Sequence, residues 1–211
     1  MKKLIILFIS LLIAFLLISF QIQPIIQNLA KKEMDHFIQL VINHVSFVSE
    51  IDNSKLLNNE NQTFQFNMVY LNSITGQYVN ELEETLLQIQ EGEYKNNDKS
   101  IYNKYLKKIS ENKGIVASLP LGMVTNNVFL ENIGPHIDVK YKTKSLVSSH
   151  IDKNVKNYGI NHMLVTIDLT VTMELQIIIP FNKNNYKKQF QIPLVFEIIE
   201  GEVPSWYQSP S

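Results

Sequence analysis

Five histidines, 20 Asp and Glu and no cysteine set the chemistry open to this 211-residue chain. Without Cys there is no thiol nucleophile, zinc ribbon or disulfide framework. His36 and His44 lie eight apart in a helical pattern, about 80° around the axis and two turns along, a poor spacing for one metal ion. His150 and His162 flank an Asn157-Tyr158-Gly159 turn and can approach each other, but two imidazoles without a fixed carboxylate make a weak metal site. Glu81, Glu83 and Glu84 fall on the polar side of a helix, where such clusters are usually solvated. Asp168 and Glu174 are six apart on one strand, about 20 Å, too far to share a proton. No phosphate-binding glycine loop, HExxH, EF-hand loop or G-x-S-x-G elbow occurs. These residues by themselves name no activity, and neither a catalytic set nor a metal site is read from them.

One polar segment stands apart. Thr125, Asn126 and Asn127, followed by Asn132, Gly134 and Pro135, make a loop of residues that hydrogen-bond their own backbone. That is ordinary turn chemistry, or else a recognition loop, since loops often carry binding. Lys140, Lys142 and Lys144 stripe one face of a strand, where they are solvated or meet an anionic surface. All 19 basic residues are Lys and 22 residues are Asn, as AT-rich codon usage would give. The formal charge of −1 argues against nucleic-acid binding.

The elements that would position these residues begin with an apolar run. Residues 4–20, LIILFISLLIAFLLISF, carry no charge and as a helix span about 26 Å, close to the hydrocarbon thickness of a bilayer. Lys2 and Lys3 precede it, so the start stays in the cytoplasm and the rest is exported. The run ends Leu17-Ile18-Ser19-Phe20 with no small-residue cleavage site, which favours an uncleaved signal anchor over a cleaved peptide. The expected division is residues 1–23 as cytoplasmic tip and single-pass transmembrane anchor, and 24–211 as an extracytoplasmic domain. Beyond Lys3 the chain holds 17 Lys against 20 acids, a formal charge of −3.

After Pro24 the apolar residues Ile25, Ile26, Leu29, Phe37, Leu40, Val41, Val45 and Val48 recur at helical spacing to about Glu50. Residues 52–62 read as a loop, and Phe64, Phe66, Met68 and Tyr70 as a strand. Asn72 or Ser73 caps a second helix with the face Ile74, Tyr78, Leu82, Leu86 and Ile89, closed by Gly92. Residues 93–113 read as an exposed loop with a weak helical stretch at Ile101, Tyr105 and Ile109. A short apolar strand covers 114–122. Then comes the clearest pattern in the chain. Met163, Val165, Ile167, Leu169, Val171, Met173, Leu175, Ile177 and Ile179 alternate at period two, which predicts a long half-buried strand with a bend or bulge inside it. Alternating residues 137–151 before it and 186–198 after it complete a three-stranded antiparallel meander; residues 149–156 also fit a short helix. Pro193 marks the last strand as an edge. The fold class is α+β, an antiparallel sheet covered by amphipathic helices.

From Gly114 onward the chain resembles the YunB family of sporulation proteins. The resemblance rests on ordered blocks: Ser118-Leu-Pro-Leu-Gly122, Thr125-Asn-Asn127, Asn132-Ile-Gly-Pro135, Tyr158-Gly159-Ile160-Asn161, Ile179-Pro-Phe181, Gly201-Glu-Val-Pro204 and Trp206-Tyr207. It implies a membrane protein of endospore-forming Firmicutes, made in the mother cell and required for endospore formation, with no established activity or cofactor. Export would place the body between the two membranes around the forespore. A structural or interaction role follows, with a protein partner or self-association through the sheet edge. The alternative is an extracytoplasmic ligand sensor or wall-acting enzyme using residues 125–135.

Overall fold

The computed structural model describes residues 2–45, 55, 57–60, 63–96, 100–125, 127–144, 147–159, 162–180 and 182–200, with the side chains of 2–7, 9–20, 57–65 and 200 outside that description. It is an α+β protein. The helices are α1 (Lys2–His44), α2 (Met68–Glu91) and α3 (Ile101–Glu111). The strands are β1 (Leu57–Glu60), β2 (Thr63–Phe66), β3 (Ile115–Pro120), β4 (His136–Thr143), β5 (Ser148–Asn157), β6 (His162–Ile179) and β7 (Asn182–Glu200). Strands β1 and β2 form a two-stranded sheet. The other five form one sheet in the order β3-β4-β6-β5, with β7 also paired to β6. The registered pairs in both sheets are antiparallel.

Contacts divide the chain into two compact units. The first holds Met1–Val41, Leu87–Lys144 and Leu175–Tyr186. Its core starts on α1, where Ala30, Met34, Phe37, Ile38 and Val41 are fully buried and lie on one face at helical spacing. Phe37 packs on Tyr141 of β4 with ring centroids 4.9 Å apart. Pro24 sits inside α1 rather than at a helix start. It removes one hydrogen bond, to the Phe20 carbonyl, without ending the helix. The apolar run 4–20 lies within α1 but, Phe8 excepted, outside the described side chains. Among the described residues no helix is long and apolar enough to cross a membrane.

Residues 93–113 correct the expectation of an exposed loop. Ser100 caps α3, its Oγ accepting from the Asn103 amide at 3.2 Å. Leu106 and Ile109 are buried, as is Tyr94 before the helix. The weak helical stretch expected there is a full helix from Ile101 to Glu111, and its Lys-rich composition hid only that one apolar stripe is buried.

The second unit holds Ile42–Leu86, Ser145–Glu174 and Lys187–Ser211. Helix α2 buries Leu71, Ile74, Tyr78, Leu82 and Leu86. It starts at Met68, earlier than expected. Asn67 is the cap, its Oδ1 accepting from the Tyr70 amide at 3.0 Å. Leu57–Glu60, expected in a loop, pairs with β2 from Leu57 opposite Phe66 to Glu60 opposite Thr63. Lys153 places its ammonium 5.1 Å from the Phe66 ring centroid, a cation–π contact.

Val165, Ile167, Leu169, Val171 and Met173 of β6 are buried in this unit, as the alternation requires. Met163, first in the series, is 44% exposed. Residues 149–156 are strand and not helix. The expected first strand of the meander is two strands, β4 and β5. Thr143 faces Leu175 and Ser148 faces Thr172, so the paired segment advances five positions where β6 advances three. The even-numbered face of β6 is mostly half-buried instead of wet, because a strand with neighbours on both edges is shielded by their side chains.

Candidate functional site

The segment joining β3 to β4 is built from the hairpin outward. Ser118 and Asp138 are cross-strand partners, and the Ser118 hydroxyl donates to Asp138 Oδ1 at 2.7 Å. Past Pro120 the chain forms a 3₁₀ turn, Leu121–Thr125. Backbone bonds from Leu121 N to Pro135 O and from Gly122 N to Ile133 O, both 2.9 Å, hold the base of the loop together. Two further turns follow, Leu130 N to Asn127 O and Ile133 N to Leu130 O. Gly122 is indispensable here. A Cβ on it would lie 1.7 Å from the Leu130 carbonyl oxygen and 2.6 Å from that of Ile133.

The polar residues expected to recognise a ligand serve the loop itself. Thr125 Oγ1 donates to the Gly122 carbonyl at 2.7 Å. Asn127 Oδ1 accepts from the Phe129 amide at 3.0 Å, an Asx turn. Asn132 is exposed, Gly134 takes φ 108°, and Pro135 supplies the carbonyl that closes the loop base. Asn126 lies outside the described residues.

The sequence reading missed what the loop displays. Val128 is 83% exposed and Phe129 88%, with Leu130 and Ile133 also open to solvent. Val-Phe-Leu inside an Asn-rich turn was the available signal. On the inner side, Leu121, Val124, Leu130 and Ile133 share an apolar cleft of about 270 Å³ with Ile22 of α1. All of these residues belong to the first unit.

The second candidate turn joins β5 to β6 in the other unit. Tyr158 donates its amide to the His162 carbonyl at 2.9 Å, and Gly159 has φ 84°. Tyr158 is exposed, while Ile160 and Asn161 lie outside the described residues. His150 pairs with Asp152 at 3.4 Å, and Asp152 also accepts from Thr170 at 2.9 Å. His36 packs edge-on against Tyr105, 6.0 Å between centroids. Among the described residues no group of three or more His, Asp and Glu is placed to hold a metal ion. Glu174 pairs with Lys187 at 3.0 Å.

A larger cleft, about 560 Å³, lies where β4 meets the β6–β7 connection, lined by Asp138, Lys140, Ile178, Ile179, Pro180, Asn182 and Lys183. The most perturbed groups lie elsewhere and are tyrosines. Burial pushes the Tyr141 hydroxyl well above the usual phenol range, with Glu91 adding to it. Burial does the same for Tyr186, reinforced by its hydrogen bond to Asp35.

Residues 116–206 match the family model for the sporulation protein YunB. Over 200 residues, 90% of this chain and 74% of the relative, the sequence is 25% identical to the sporulation protein YunB of Bacillus subtilis strain 168. Over residues 116–206 this chain is similar to the YunB family. No solved structure matches it. The YunB match begins at Val116 in β3 and runs past the end of β7, so it covers the five-stranded sheet and the β3–β4 loop. Helices α1, α2 and α3 precede it, and only the longer alignment with the Bacillus subtilis YunB reaches them.

Proposed function

We propose that the chain is a membrane-anchored sporulation protein required for endospore formation, with a structural or interaction role and no catalytic one. The observation that carries this reading is the YunB family match across the sheet, together with similarity to a sporulation protein over 90% of the chain. Anchoring is supported by the uncharged run 4–20 behind Lys2 and Lys3. In this reading the body is extracytoplasmic, on the mother-cell membrane facing the forespore. An interaction role is supported by the β3–β4 loop, where Thr125 and Asn127 hydrogen-bond the loop's own backbone while apolar side chains face outward.

Deletion of the gene, scored as heat-resistant spores per viable cell, tests the role. A large loss restored by the full chain is expected. Unchanged spore yield would sink the reading. Restoration by a chain lacking residues 2–20 would remove the anchor from it.

A further inference from the structure

We propose that the tip of the β3–β4 loop dips into the membrane interface beside α1, so that Val128, Phe129 and Leu130 contact lipid at the headgroup–acyl boundary. The proposal rests on the reading of residues 4–20 as an anchor and adds a second contact to it.

Three observations converge on this loop. Val128, Phe129 and Ile133 are 83%, 88% and 58% exposed. Contiguous apolar surface of this kind on a short loop marks an interaction site. The loop is also held in shape: Gly122 admits no side chain, and backbone bonds fix its base. An ordered loop keeps its apolar tip outward instead of folding it away. Finally, the loop shares its apolar cleft with Ile22. Ile22 is two residues past the end of the apolar run 4–20, about 3 Å further along the helix. The base of the loop and Leu130 therefore lie beside the turn where α1 would leave the hydrocarbon, with Val128 and Phe129 next to them in sequence. Apolar groups at that depth gain from partial burial, and Asn127, Glu131 and Asn132 between them suit headgroups and interfacial water.

That level favours lipid over a protein as the occupant. A partner would have no reason to be met at the turn of α1 that follows the apolar run.

The chain has no cysteine, so single-Cys variants can each carry one environment-sensitive fluorophore. Phe129→Cys and Val128→Cys probe the tip, and both positions are exposed enough to tolerate the change. Ile101→Cys is the control. It is 85% exposed, one turn from Tyr105, which packs on His36 about 21 Å beyond Ile22 along α1. The full chain is reconstituted into vesicles of phosphatidylglycerol and phosphatidylethanolamine, washed with carbonate, and read with nitroxide lipids and with iodide. The tip labels should shift to the blue, be quenched by shallow nitroxides and lose most iodide quenching, while the control does none of these. A chain that survives the wash with tip labels behaving like the control overturns the loop proposal and leaves the anchor standing. A chain removed by the wash overturns both. Tip labels shielded in native membranes but not in pure lipid overturn the proposal in favour of a protein partner.

Discussion

The Tyr186 hydroxyl donates a 2.6 Å hydrogen bond to Asp35 Oδ1, joining strand β7 to helix α1 across 151 positions of sequence. Both groups belong to the unit that also holds the β3–β4 loop. The bond is charge-assisted and Tyr186 is buried, so it is among the stronger polar contacts in that unit.

Tyr186→Phe keeps the ring and removes the donor. A hydrogen bond to a charged group contributes about 1.5–3 kcal/mol. The expected result is a loss in that range, read as a lower midpoint in thermal or urea unfolding. An unchanged midpoint would mean water replaces the hydroxyl at no cost.

Gly122→Ala and Gly134→Ala separate two roles of glycine in one loop. At Gly122 the added methyl collides with backbone carbonyls, so the loop base must open, and a loss of about 3 kcal/mol or more is expected. At Gly134 the nearest atom to the new Cβ is 3.5 Å away. Only the positive φ is strained there, at about 1–2 kcal/mol. Limited proteolysis should cut the 122 variant within the loop well before the 134 variant.

Alkali should destabilise the fold. Burial, with Glu81 adding, raises the Tyr78 hydroxyl from 10.0 to about 12, and Tyr141 and Tyr186 are raised as well. Between these values the unfolded chain releases a proton that the folded chain keeps. Stability is therefore full below about pH 10 and falls as the pH climbs towards 12. Unfolding midpoints measured from pH 8 to 12 should decline above about 10, and Tyr78→Phe should decline less steeply than the parent.

Phe37→Ala opens a cavity against Tyr141, in a core where both rings are fully buried. A loss of about 3–5 kcal/mol is expected, measured by denaturant unfolding. Phe37→Leu should recover more than half of it.

How far the sequence could be read depended on how many forces acted on each segment. Strand β6 was legible from Met163 to Ile179 because one face must be buried, and burial writes a period of two. The face of α2 was legible for the same reason, with Ile74, Tyr78, Leu82, Leu86 and Ile89 all buried. Strand β1 was not. Leu57-Asn58-Asn59-Glu60 has almost no intrinsic strand preference, and its pairing comes from β2. The break between β4 and β5 was hidden because the odd-numbered positions keep facing odd-numbered partners on both sides of it. At the candidate site, Thr125 and the Asn residues drew attention as hydrogen-bonding groups. Whether such groups face a ligand or their own backbone depends on loop closure, which rests on Gly122 meeting Leu130 and Ile133, contacts that no local pattern announces.

Helix α1 has one more consequence. It runs as a single helix from Lys2 to His44 through Pro24, with Met34 and Phe37 buried in the core of the first unit. The core of the first unit is therefore coupled through one helix to that helix's first five turns. Each residue inserted between Gln21 and Leu29 would turn one end against the other by about 100° and part them by about 1.5 Å. Four inserted residues would bring the facing back to within about 40° but leave the core of the first unit about 6 Å further from the start of α1. Standoff and azimuth are encoded here by counting residues.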